Sequence, residues 1–305
     1  MKMVIRADDV GFTHVHNIGT FEAVDNGLVT SCDVMLDTPG TIEALEFLRE
    51  RPWISTGWHT HFWGAPVLNP ADVPTLYDSS IGHFRRDLAQ AEDVSYDEIL
   101  AEMRAQMDLC IKYLGRTLDV GGGAHGNSPF ARAMTKVTEE YGLVCNFAHA
   151  VDFRKMFMEG ICEYTVKPDA KWEDRKIYMT VEKRGGPVNE VFSTDSIKVM
   201  RSYEPLQRWV DDEVNMAALP DDATAVVVLH PGYIDYYVAR EGSQTPRAWN
   251  YLSTRTLEVH ALCSQELKDW VVEKKIELVN FRDALYGTRE YQNHLRYTGS
   301  PLLMK

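Results

Sequence analysis

Two periods of apolar and polar positions take turns along this chain. The first run, Met3-Val4-Ile5-Arg6-Ala7-Asp8-Asp9-Val10-Gly11, is apolar and β-prone and stops on two carboxylates and a glycine. The period then lengthens, and residues 17–25 read as a helix with Asn26-Gly27 as its C-cap. A strand is predicted at 29–36, a break at Pro39-Gly40, a helix at 41–49 and a strand at 54–62. After a long Pro- and Asp-rich loop, Ser95 and Glu98 have capping-box spacing for a helix that reaches Leu114. Its residues Ile99, Met103, Met107 and Ile111 form a stripe expected to face a core. Further strands are predicted at 118–126, 143–148 and 177–182, with a helix at 128–141 between the first two. A helix is expected at 204–217. The nearly continuous apolar run 223–229 has the look of a buried parallel strand and ends on His230-Pro231-Gly232. A long helix at 253–273, a strand at 276–280 and a short helix complete the pattern, while 151–202 reads poorly apart from its one strand.

Strand and helix alternate throughout, with no clear linker and no internal repeat. Seven or so βα units in 305 residues predict an α/β fold, a TIM-like (β/α) barrel that is seven-stranded or distorted. It would form one catalytic domain over 1–305, with long loops at 63–94 and 233–251 that could serve as lids or as contacts in a homo-oligomer. The competing architecture is an open doubly wound sheet. No GxGxxG follows the first strand, and Gly121-Gly122-Gly123 lacks that spacing.

Composition narrows the class. A net charge of −13, with no basic stripe, argues against a nucleic-acid surface. The five cysteines are scattered and form no CxxC pair, as expected of reduced thiols in a cytoplasmic protein. No charged-then-apolar leader precedes the first strand, and no apolar run approaches the ~18 residues a membrane span needs, so no membrane partner is expected.

The chemistry sits at the strand ends. In parallel α/β folds these ends converge on the site. Here four of them carry Asp8/Asp9, His59/His61, His125 and His230. An Asp with two His makes an open divalent-metal site whose bound water reaches a pKa of about 7. His59 and His61 share a face in a regular strand, so either or both could be ligands. Asp8 and Asp9 point oppositely in a regular strand. If Asp9 binds the metal, Asp8 must leave strand geometry or act from behind it. His14 and His16 are expected at the surface, and His83, His149, His260 and His294 join no constellation. Trp58, Phe62, Trp63, Tyr233, Tyr236 and Tyr237 flank the strand ends, where they could stack on a sugar ring or simply pack.

Several runs then occur in a telling order: Ala7-Asp8-Asp9-Val10-Gly11, Gly57-Trp58-His59, Gly82-His83-Phe84, Leu229-His230-Pro231-Gly232-Tyr233, Arg255-Thr256-Leu257-Glu258 and Val279-Asn280-Phe281-Arg282. Together they resemble the YdjC-like carbohydrate deacetylases, over residues 3–285. The resemblance implies hydrolysis of an N-acetyl group on a sugar by a metal-dependent enzyme, with metal-bound water as nucleophile. It implies Asp9, His59 and His125 as ligands, Asp8 as general base and His230 as general acid. His61, Asn127, Trp63, Tyr233 and Arg255 are the candidate substrate contacts. The donor set suits Zn first, with Mg, Mn, Co, Ni or Fe also compatible. Two readings compete: hydrolysis of another amide or ester on the same metal, and a non-catalytic carbohydrate-binding or regulatory barrel.

Overall fold

The structure, a computed structural model, describes residues 1–121, 126–145, 161–166, 175–180, 195–211, 219–242 and 246–304. Its strands are β1 (Lys2–Val10), β2 (Ser31–Val34), β3 (Ser55–Trp58), β4 (Tyr77–Asp78), β5 (His83–Phe84), β6 (Val120–Gly121), β7 (Val144–Cys145), β8 (Ile161–Val166), β9 (Arg175–Thr180), β10 (Thr224–Leu229) and β11 (Glu277–Leu278). One sheet runs β7-β6-β3-β2-β1-β10-β9-β8, with β11 beside the start of β1. Every described pairing in it is parallel except β8 with β9. The curled, parallel-rich sheet with helices against it is a distorted TIM-like barrel, as the alternation of periods predicted.

β1 lies at the centre because it can be buried on both faces. Met3, Val4, Ile5, Ala7 and Val10 all have 0% exposure. Register then sets what stands beside its polar end. Ala7 pairs with Leu229 on one side and Cys32 on the other, Asp33 pairs with Gly57, and Val34 with Trp58. Asp8, Asp33, His59 and His230 are thereby brought to one level by backbone pairing alone.

Several boundaries differ from the sequence reading. β3 stops at Trp58, so His59 and His61 lie on irregular chain rather than on a strand. The strand expected at 177–182 is β9, Arg175–Thr180, with 181–182 outside the described residues; it is the second half of an antiparallel pair whose first strand, β8, the pattern missed. The expected helix 253–273 is two helices, Arg255–Cys263 and Gln265–Glu273, because the Ser264 side chain caps the second by accepting from the Leu267 N–H. The loop at 63–94 carries the β4–β5 hairpin, and the loop at 233–251 carries the helices Tyr236–Gly242 and Pro246–Ser253. The stripe on the helix Tyr96–Leu114 holds for Ile99, Met103 and Met107, but Ile111 is exposed and Cys110 and Leu114 are buried instead. A four-residue repeat outruns the 3.6-residue turn, so its fourth member has rotated out of the core.

Candidate metal and acid–base site

The strand-end carboxylates come together through a break in β1. Asp9 has φ +59°, in the left-handed region that a non-glycine residue rarely adopts, and the β1–β2 register shifts between Ala7 and Val10. This twist undoes the alternation of a regular strand and lets Asp8 and Asp9 both reach His59. Asp9 Oδ1 lies 2.7 Å from His59 Nε2 and 3.5 Å from His61 Nε2. Asp8 Oδ2 lies 3.8 Å from His59 Nδ1 and 4.0 Å from His230 Nε2.

Buried cations hold the far sides of both acids. Arg6 makes a forked pair with Asp8, at 2.6 and 2.8 Å, and also reaches Asp33 at 3.3 Å. Arg255 donates to Asp9 Oδ2 from a position with no exposure at all. Its Nη1 is 3.0 Å from His16 Nε2. Asp33 needs the bare backbone of Gly57, because a Cβ there would stand 2.1 Å from Asp33 Oδ1. Gly232 is required in the same way by the His16 ring, which a Cβ would approach to 2.2 Å.

These neighbours set the charges. Burial raises the Asp8 pKa, but Arg6, His59 and His230 together outweigh it and leave the carboxyl below its usual range. For Asp9 burial is likewise overcome, by Arg255 and then His59 and His61, and the group lies well below the ordinary value. His59 would be depressed by burial, yet Asp8 and Asp9 raise it. Burial lowers His230 to about 3, and burial with the His59 charge lowers His61 to about 4, so both are neutral at pH 7. A neutral resting His230 does not carry the proton that a general acid delivers.

Two atoms at the centre answer only each other. Asp9 Oδ1 and His59 Nε2 are buried and face one another at 2.7 Å, and neither has a further hydrogen-bond partner among the described residues. A carboxylate oxygen and an imidazole nitrogen held so close are both groups that ligate divalent metals. Asp9, His59 and His61 offer ligand atoms within 4.8 Å of one another, so these residues could hold a metal ion. Asp8, Asp33 and His59 form a second such group, with Arg6 paired to both of its carboxylates.

Among the other expected positions, His125 lies outside the described residues. Asn127 is exposed. The Trp63 ring stacks on His61 with centroids 4.3 Å apart and packs against Phe12, which also meets Tyr237 edge-on. Tyr237 in turn reaches His83, which the sequence reading left unplaced. The Tyr233 hydroxyl donates to Glu22 on the helix His14–Asp25, at 2.5 Å. Arg255 stands behind Asp9, with no surface of its own to offer. Of the two histidines expected at the surface, His14 is exposed, but His16 is fully buried under Arg255. Sequence reasoning also passed over Arg6, Asp33 and Glu258. Arg6 had a signal: an arginine inside an apolar parallel strand needs a partner, and Asp8 is two residues on, on the same face.

A distorted TIM-like barrel thus gathers acids and imidazoles at its strand ends, where Asp9, His59 and His61 could hold a metal ion. A family model described as YdjC-like protein matches residues 2–273, and the chain belongs to that family. It is 28% identical over 286 residues to a carbohydrate deacetylase of Brevibacillus brevis, covering 93% of this chain and 99% of the relative. A carbohydrate deacetylase of Listeria monocytogenes is 25% identical, over 93% of this chain and all of its own length. A crystal structure from Enterococcus faecalis V583, provisionally described as a cellobiose-phosphate cleavage protein, superposes with a TM-score of 0.62 at 25% identity, covering 92% of this chain and 98% of that one.

Proposed function

We propose that this chain is a metal-dependent deacetylase of an N-acetylated sugar. The observation that carries the reading is the cluster of Asp9, His59 and His61, whose ligand atoms lie within 4.8 Å of one another, set beside a second carboxylate and a neutral histidine. The sugar class is taken from the names of the relatives. Asp9 and His59 hold the metal, with His125 as the third ligand by family resemblance and His61 within reach of Asp9. A divalent cation there would polarise the amide carbonyl and activate water.

The remaining steps belong to side chains. Asp8 keeps Oδ2 toward the site while Arg6 holds it anionic, so it is ready to take a proton. His230 Nε2, 4.0 Å from Asp8 Oδ2, would take that proton through one bridging water and return it to the departing amine nitrogen. Asp8 starts charged and His230 starts neutral, so one proton passed along this line balances the hydrolysis. Trp63, stacked on His61, offers a flat apolar face beside the reacting atoms, as a sugar ring requires.

Elemental analysis of the native protein, paired with acetate release across N-acetylated sugars and non-sugar amides and esters, tests the proposal. One divalent ion per chain and acetate from a sugar are expected, both abolished by chelation. Turnover confined to non-sugar substrates would favour the broader hydrolase reading. Sugar binding without release under any divalent metal would favour a non-catalytic barrel.

A further inference from the structure

The helix Arg255–Cys263 opens with two buried charged residues to which the mechanism assigns no step. Arg255 and Glu258 are three positions apart, so they share one face. The helix packs between the helices His14–Asp25 and Pro205–Val210. From that face Arg255 donates to Asp9 Oδ2 and contacts His16 Nε2. Glu258, 6% exposed, accepts the backbone N–H of His230 on Oε2 at 2.5 Å and the Tyr203 hydroxyl on Oε1 at 2.9 Å. One helix therefore grips the ends of β1 and β10 together. The β10 turn is also held from its other side, where Thr20 donates to the Pro231 carbonyl at 2.6 Å and Gly19 lies against Gly232.

The geometry points to Arg255 and Glu258 as a two-point clamp of positioning residues, which sets where Asp9 Oδ1 and His230 Nε2 stand relative to each other. Arg255 occupies Oδ2 of Asp9 and so leaves Oδ1 directed at His59 and His61. Glu258 fixes the backbone from which the His230 ring hangs. A carboxylate on a backbone N–H is a charge-assisted bond, stiffer than an ordinary one, and in a buried place neither partner is lost cheaply. Tyr203 orients the carboxylate by taking its other oxygen. The metal-hydrolase reading underlies the part of this inference that concerns turnover. The holding of Asp9 and His230 does not depend on it.

The test uses Arg255→Lys, Glu258→Gln, Glu258→Ala and Tyr203→Phe in the full chain. Two readouts need no activity: calorimetric titration with Zn²⁺ alone, and the His230 amide resonance in protein labelled with ¹⁵N-histidine. Arg255→Lys should weaken Zn²⁺ binding by about 10- to 100-fold, the usual cost of losing a ligand's supporting partner. Glu258→Gln should leave that affinity within about twofold but move the His230 amide upfield. On a sugar that the wild type deacetylates, Glu258→Gln should lower kcat at unchanged KM. Glu258→Ala should lower it further, with glutamine acting as a partial rescue, and Tyr203→Phe should lower it least. Wild-type Zn²⁺ affinity in Arg255→Lys overturns the clamp, and so does an unmoved His230 amide with full kcat in Glu258→Gln. Equal losses of Tm and metal affinity in both variants would make the helix a general support and also overturn it. A wild type that releases no acetate removes the deacetylase reading alone, because the Zn²⁺ and amide readouts still decide the clamp.

Discussion

Two charge networks flank the sheet, a buried one where β1, β2, β3 and β10 end and a half-buried one where β3 and β6 begin, and they are completed to different degrees. In the second, Asp119 Oδ2 accepts from the Thr56 N–H at 2.8 Å, from Arg116 at 3.2 Å and from Arg282 at 2.5 Å. Arg282 also holds Glu290 and the Pro52 carbonyl, and the Asn280–Asp283 capping box starts the next helix. Among the described residues no buried side-chain atom of Asp119, Arg282, Asn280 or Asp283 lacks a partner. In the first network the outer oxygens are equally well served by Arg6 and Arg255, but Asp9 Oδ1 and His59 Nε2 have only each other, at 2.7 Å. A network closed on itself stabilises the fold. An acid and an imidazole that face each other with no further partner leave a place that a cation can enter, and that place marks the site.

That contrast can be broken most forcefully at Asp9. Asp9→Asn should lose stoichiometric metal and lower acetate release by more than the about 10- to 100-fold seen when only a ligand's support is removed. Elemental analysis and the acetate assay read it, and full metal content would end the assignment. At the closed network the effect should be on stability alone. Arg282→Ala removes one of the two cations on Asp119, leaving Arg116, and should cost about 1.5 kcal/mol in denaturant unfolding. Added metal should raise the Tm of Arg282→Ala as it does for the wild type, and should not raise that of Asp9→Asn. If Arg282→Ala also loses the metal response, the two networks are one unit and the contrast fails.

Asp37 sharpens the comparison through its pH dependence. Its carboxylate accepts the Gly64 N–H at 2.7 Å, next to Trp63, and no cation is paired with it among the described residues. Burial raises its pKa to about 7, from an ordinary value of 3.8. The folded chain therefore keeps a proton that the unfolded chain releases. This stabilisation is complete below pH 3.8 and is lost as pH rises through about 7. Asp37→Asn cannot ionise and should lack that decline, so the two proteins' unfolding free energies should diverge by about 2 kcal/mol between pH 4 and pH 8. Parallel curves would mean that Asp37 is already charged in place.

The legible parts of the sequence were those governed by near neighbours. β1, the helix capped by Ser95 and the apolar run of β10 follow from local periodicity and capping, and the structure contains all three. The strand-end rule then named Asp8/Asp9, His59/His61, His125 and His230 as one group; Asp8, Asp9, His59, His61 and His230 lie together, and His125 is outside the described residues. His16 was misjudged because its burial comes from Arg255 and Gly232, more than 200 positions away in the chain. Tyr203 and Glu258 were unreadable for the same reason, since Tyr203 donates to Glu258 and Glu258 accepts the His230 N–H, partners that do not adjoin one another in sequence.

By itself the sequence determined the alternation of strands and helices, the barrel class and the residue types at the strand ends, because all of these depend on side-chain period and on chemistry carried by each residue. Which oxygen of Asp9 faces His59, and whether Asp8 could join it, was decided by tertiary structure alone. The left-handed turn at Asp9 is a strained conformation that surrounding contacts must maintain, and Arg255, brought from the far end of the chain, holds the carboxylate from behind.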